Sequence, residues 1–484
     1  MVFPSASALP ALLVRERARP AWVRSRTGAW RPAVATVCFG AFMGQLDASI
    51  VTMTYPGVRA EFGVPLAGVE WVSLAYLLTL VALLVPVGRL SDVHGRKLSY
   101  LYGFALFTAA SAACGLAPTL LALIGFRVVQ AVGAAMLQAN SVALVKTSTP
   151  PARLRTALGV QAAAQAVGLA LGPTVGAALV AGPGWRWTYW INVPVGLIAL
   201  AAGHYLLPRT RDRAPRRRFD RAGVLWLATA TAALLVALSS LSGLHVPGWT
   251  GPAAGAVALA ATAALVRQER RAPAPLLDPA LLKTPGIRGG LVAALCGYLV
   301  LFGPLVLVPV LLLGSGHGVL VAGTALTALP AGFALGAVGG DRALPAAVTD
   351  RARCLYGAAL SGCALAGLLL VAPAPVPLAC ALGVLGVGLG LFAPANNALV
   401  MRAVPQDAPG TGGGLINTAR GLGTAIGVAL VTLALHTGGG GGRLAVLILL
   451  AASAVMAVTA ATGARRGAGA GRGAAATAPG AERE

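Results

Sequence analysis

Runs of about twenty apolar residues recur from one end of this chain to the other. Each is long enough to cross the hydrocarbon of a bilayer as an α-helix. In lipid a spanning helix satisfies its own backbone, so many such runs dictate an all-α bundle. The spacing predicts fourteen spans: 33–55, 67–88, 98–117, 119–145, 155–181, 187–207, 222–243, 250–266, 289–313, 318–339, 354–372, 377–401, 411–435 and 444–462. The eighth is the shortest. Composition agrees, because 57% of the residues are hydrophobic and only 11% are charged. A soluble domain has about a quarter of its residues charged.

A formal charge of +23 over 484 residues first suggests a nucleic-acid partner. The placement of the charge excludes it, since the Lys and Arg residues sit in short clusters between apolar runs. Numbered by an even count of spans, almost all of these clusters fall on one side, from Arg15–Arg31 through Arg209–Arg221 to the tail arginines. The other side receives Arg59, Arg186 and Arg443. Excess positive charge marks cytoplasmic loops. The expectation is a multi-pass protein of the cytoplasmic membrane, with both termini inside and an anionic inner leaflet as partner. Residues 1–30 read as a basic cytoplasmic arm, 31–208 as a six-helix bundle and 209–288 as a two-helix insertion with basic linkers. Residues 289–463 read as a second six-helix bundle, and 464–484 as a low-complexity, disordered cytoplasmic tail. The six cysteines show no CxxC or metal spacing and are expected as small core residues. No nucleophile–base or P-loop pattern appears, so neither an enzyme nor an ATP-driven pump is indicated.

Several short stretches carry more than topology. "PVGRLSDVHGRKLSY" after the second run holds Gly88, Asp92, Gly95, Arg96 and Lys97 in a tight turn. "FRVVQAVGAA" places Arg127 inside a span with Gln130 one turn away. In "GLALGPTVGAAL", Gly168, Gly172 and Gly176 recur every four residues around Pro173, a stripe on which another helix can pack closely. Together these resemble the major facilitator superfamily. The first resembles its gate-loop signature, with Val93 where a basic residue is usual. The second resembles its proton-coupling helix, with Ala131 where glycine is usual, and the third resembles its antiporter helix. "LDASIVTMTYP" and "WRWTYWINVPVG" are similar to motifs of the fourteen-span drug:proton antiporter branch. The resemblance covers roughly residues 33–462. It implies two six-helix bundles with two inserted helices, and a gate-loop latch between spans two and eleven of the family fold. It also implies export of hydrophobic small molecules driven by a proton gradient, without another cofactor. A degenerate echo of the gate loop, "GGDRALPAAVTDRAR", follows span ten.

Asp47 is the one acidic residue deep inside a predicted span, where a carboxylate is expensive and usually functional. It lies eight residues before the outer end of span one, and Arg127 lies eight residues after the outer start of span four. Both therefore sit about 12 Å below the outer boundary. Asp47 is expected to act as a protonation switch coupled to Arg127, with a structural ion pair holding two helices as the alternative. Gln130, Gln161, Gln165, Asn396, Asn397 and Arg420 are the candidates for a central substrate cavity. With Asp47 as the only acid, neutral, zwitterionic or monocationic compounds are expected to be exported better than dications. Glu70 is the alternative acid. The competing functions are an exporter of one endogenous metabolite or antibiotic, and a non-transporting membrane sensor or scaffold.

Overall fold

The computed structural model describes residues 16, 18–21, 28–64, 66–210, 220–241, 247–272, 283–317, 319–345, 347–370, 374–405, 408–436 and 441–475. Among the described residues fourteen longer helices follow one another: α1 (Trp30–Ile50), α2 (Leu66–His94), α3 (Arg96–Gly115), α4 (Leu120–Ser148), α5 (Leu154–Ala181), α6 (Asn192–Leu206), α7 (Arg221–Leu241), α8 (Thr250–Arg271), α9 (Pro285–Gly314), α10 (Val319–Ala343), α11 (Asp350–Leu370), α12 (Pro375–Ala403), α13 (Pro409–His436) and α14 (Gly441–Ala475). Among the described residues thirteen are long and apolar enough to cross a membrane. The remaining one is α7, of which Ala222–Ala237 form a shorter apolar stretch among the described residues. Its full 21 residues still reach about 31 Å.

Local chemistry sets the helix ends. Thr119 caps α4 by accepting from the Ala122 N–H at 3.2 Å. Gly95 has φ 107° between α2 and α3, a conformation that favours glycine. Span one does not stop at Ile50: a 3₁₀ turn, Val51–Thr54, leads into a short helix, Tyr55–Phe62. The final helix continues to Ala475, twelve residues into the segment expected as disordered tail. That segment is rich in alanine, the strongest helix former. The arm also has fixed points, since Glu16 accepts from the Thr210 hydroxyl at 2.8 Å and Arg19 donates to the Leu206 carbonyl at 2.7 Å. The basic connector 211–219 and the end of the tail lie outside the described residues.

The helices form two bundles, each with its own core. Tyr100, Phe104 and Phe107 lie in the first, and Phe333, Leu389 and Phe392 in the second. Large apolar side chains cover the outer surface as well: Leu121 is 80% exposed and Leu370 88%. In water that surface would be a large loss, whereas hydrocarbon accepts it without penalty. Cys363 and Cys380 lie on this exposed surface, not in the core as expected. Helices α2 and α13 pack across the bundle boundary, as do α5 and α10. The inserted α7 packs on α8 and against both α2 and α13.

Candidate functional site

The first site is a closed polar cluster between α1, α3, α4 and α6. Asp47 is 0% exposed and Arg127 1%. Arg127 Nη1 donates to Asp47 Oδ2 at 2.6 Å. The other carboxylate oxygen, Oδ1, accepts from Gln130 Nε2 and Asn192 Nδ2, each at 3.1 Å. Both amides also reach the Ser111 hydroxyl. Arg127 donates further to Gln130 Oε1 at 2.5 Å and to the Val72 carbonyl at 3.3 Å. Its guanidinium lies 4.0 Å from the Tyr76 ring centroid. Two buried charges survive in a low dielectric only when paired and hydrogen-bonded in this way.

The glycine stripe explains how α1 is held in register. A Cβ on Gly168 would sit 2.5 Å from the Phe42 carbonyl oxygen, and one on Gly176 would sit 2.8 Å from Ile50 Cγ1. One on Gly172 would collide with Ser49 Oγ. All three contacts are with α1, the helix that carries Asp47. The side chains of Pro173 and Glu70 lie outside the described residues.

The second site is a cavity of about 470 Å³ between the bundles. Gln138, Gln165, Asn417 and Arg420 form its polar end. Leu74, Leu77, Ala425 and Val428 extend it toward the face opposite the α2–α3 junction, where Gly88 and Asp92 lie inside α2 and Arg96 and Lys97 inside α3, so the expected turn is confined to Gly95. Leu235 of α7 also lines it, so the insertion contributes to the cavity wall. Arg420 Nη2 donates to Gln165 Oε1 at 2.5 Å, across the bundle boundary. Its Nη1 donates to Asn417 Oδ1 at 3.0 Å, and Asn417 donates to the Gln138 carbonyl at 2.8 Å.

Of the six cavity candidates, only Gln165 and Arg420 line this space. Gln130 is consumed by the Asp47 cluster. Gln161 lies buried one turn from Gln165, at 3% exposure, and is not part of the wall. Asn396 and Asn397 border a narrow crevice inside the second bundle, where Asn396 donates to the Gly290 carbonyl at 2.9 Å. Their periodicity placed them in a span but not on a particular face of it. Asp47 is likewise absent from the cavity wall, although its neighbours Gln45 and Ala48 line it.

On the basic side of the cavity two carboxylates latch the bundles, and Lys146 Nζ also donates across the boundary to the Val404 carbonyl at 2.9 Å. Asp92 accepts from the Gly410 and Thr411 N–H groups, both at 2.7 Å, and from the Thr411 hydroxyl at 2.8 Å. These donors lie at the N-terminus of α13, where the helix dipole also favours an anion. Arg96 holds the same carboxylate at 2.9 Å. Gly88 is required by contact, because a Cβ there would collide with the Gly410 carbonyl. The latch joins span two to span thirteen of this chain, because α7 and α8 add two to the expected count of eleven. Lys97 does not cross the boundary: its ammonium donates to the His204 and Leu207 carbonyls at the end of α6, at 2.8 and 2.9 Å. The second latch was not expected. Asp350 at the start of α11 pairs with Arg155 of α5 at 2.8 Å and with Arg402 of α12. Its signal was present in the echo "GGDRALPAAVTDRAR", which contains Asp350. Asn192, Ser111 and Tyr76 were missed because nothing in a run of single residues shows which of them converge.

The Major Facilitator Superfamily model matches residues 37–428. The methylenomycin A resistance protein of Streptomyces coelicolor is 30% identical over 414 residues, covering 84% of this chain and 85% of the relative. The tetracenomycin C resistance and export protein of Streptomyces glaucescens is 34% identical over 269 residues, covering 54% of this chain and 48% of that protein. Among solved structures, the human organic anion transporter MFSD10 superposes with a TM-score of 0.64 at 17% identity. That likeness covers 89% of this chain and 98% of the other, and it concerns the fold alone. This chain belongs to the Major Facilitator Superfamily of multi-pass membrane transporters, on the branch whose relatives include antibiotic exporters.

Proposed function

We propose that the protein exports hydrophobic drugs or antibiotics across the cytoplasmic membrane, in exchange for protons bound at Asp47. The reading is carried by one observation: a fully buried Asp47–Arg127 pair lies one residue behind the wall of the inter-bundle cavity. As an anion Asp47 accepts three hydrogen bonds from Arg127, Gln130 and Asn192. Adding a proton at the free lone pair of Oδ2 removes the charge that pairs with Arg127 and creates a donor, so the bond to Arg127 weakens. Arg127 is tied to α2 through the Val72 carbonyl, and Ser73 beside it lines the cavity. Protonation thereby acts on two helices, α1 and α2, that also form the substrate site.

The two latches on the basic face fit one end state of alternating access. With both termini cytoplasmic, this state is closed toward the cytoplasm, and its cavity extends toward the outside. A proton arriving from outside would reach Asp47, weaken the pair and favour reopening of the Asp92 and Asp350 latches. The antibiotic-resistance and export relatives support the substrate class, and the proton gradient serves as the energy source.

Inverted membrane vesicles test this directly. Drug accumulation is expected on imposing an inside-acid gradient, and it is expected to vanish in Asp47→Asn at equal expression. Gradient-driven accumulation by the Asn variant at the wild-type rate would reduce the pair to a structural bond. Accumulation of a single metabolite but of no drug would favour the dedicated exporter. No accumulation of any compound would favour a sensor or scaffold.

A further inference from the structure

Among the described residues Arg420 is the only charged side chain lining the cavity, and no described carboxylate lines it. The guanidinium is 7% exposed and forms no ion pair among the described residues. Its two protein acceptors are neutral amide oxygens, those of Gln165 and Asn417. A guanidinium has five N–H donors, so three remain without an acceptor among the described residues. The Tyr298 ring centroid lies 4.3 Å from its central carbon, which fixes its plane without neutralising it. A cation in the middle of a membrane protein without a counter-ion is costly and is retained for function. By contrast, Arg127 has a carboxylate at 2.6 Å.

We propose that Arg420 is the binding residue for an acidic group, and that the cavity takes hydrophobic, aromatic molecules carrying one carboxylate or an equivalent anionic oxygen. This names the substrate class of the site in the exporter reading and rests on it. The rest of the wall suits such a molecule. Leu74, Leu77, Val81 and Phe302 supply apolar surface, while Gln45 and Gln138 supply neutral hydrogen bonds. The volume is within the range of pockets for drug-sized ligands. Asp47 is not in the wall, so it does not offer a monocation the partner expected of it there. Because Gln165 belongs to the first bundle and Arg420 to the second, an anion bound at Arg420 competes with one of the bonds that hold the bundles together.

The test uses the full-length protein in phosphatidylcholine nanodiscs, with no gradient. The probes are anthracene-2-carboxylate, anthracene-2-carboxamide and 2-(aminomethyl)anthracene, with binding followed by anthracene fluorescence against empty nanodiscs. The carboxylate is expected to bind at least about tenfold more tightly than the carboxamide, the scale of a charge-assisted hydrogen bond. In Arg420→Gln the preference for carboxylate over carboxamide should disappear. Arg420→Lys should keep part of it, because charge remains but the planar fork is lost. Gln165→Leu should tighten carboxylate binding by freeing one further donor, and it keeps the inference testable where Arg420 variants fail to fold. The proposal is overturned by ammonium binding as tight as carboxylate binding, by a preference that survives Arg420→Gln, or by no binding of any probe. Failure of the exporter reading has a different signature: Arg420-dependent carboxylate binding without gradient-driven accumulation in inverted vesicles.

Discussion

Arg127→Ala removes one cation and leaves a buried carboxylate behind. In the wild type that carboxylate has a charged donor at 2.6 Å and two amide donors at 3.1 Å. The variant keeps only the amides, and Gln130 loses the donor that oriented its oxygen at 2.5 Å. Breaking a buried pair from one side costs about 3–5 kcal/mol, mostly for the stranded charge. If this account is right, the cost is conditional on Asp47 being ionisable. The double variant Asp47→Asn/Arg127→Ala strands no charge and should regain about 2–3 kcal/mol of the loss. The measurement is a double-mutant cycle on reversible unfolding in mixed micelles, followed by tryptophan fluorescence at pH 7.5. Each variant is also assayed for gradient-driven efflux, which both single variants and the double variant should lack. A coupling energy below about 0.5 kcal/mol would refute the reasoning, since independent sites add to within that margin. Wild-type efflux by Arg127→Ala would remove Arg127 from coupling.

Gly172→Leu should abolish efflux and lower stability, because even a Cβ collides with Ser49 on α1; near-normal transport would show that α1 and α5 separate during the cycle. Asp92→Asn should shift the conformational equilibrium toward opening on the basic face by about tenfold or more, the worth of a lost charge-assisted bond. Spin labels at Leu90 and Ala403 in a cysteine-free background would report it as a longer distance, and an unchanged distance distribution would assign closure to Asp350 alone. At the opposite face Arg186 hydrogen-bonds Glu61 and holds its carboxyl below the usual range. A depressed acid contributes stability above its unfolded value of about 4.3 and loses it as pH falls through the folded value. The stability gap between wild type and Glu61→Gln should therefore be constant from pH 8 to about 5.5 and close only at lower pH; a gap that closes near pH 6 would contradict it.

Hydropathy and the alternation of basic loops were enough to indicate a polytopic helical bundle, because the bilayer sets span length and charge sets side. Equal depth of Asp47 and Arg127 also followed from counting residues along two helices. Rotation about the helix axis did not follow. A fully apolar span has no polar face to mark which side looks inward, so Asn396, Asn397 and Gln161 could be placed in the membrane but not in or out of the cavity. The packing of the two bundles decided that Gln130 belongs to Asp47, that Arg420 meets Gln165 across the boundary, and that Asp350 gathers Arg155 and Arg402. Those residues are separated by 83, 255, 195 and 52 positions, and no local pattern links partners that far apart. Sequence fixes what each helix can tolerate in lipid, while the contacts between helices decide which tolerated polar groups become a site.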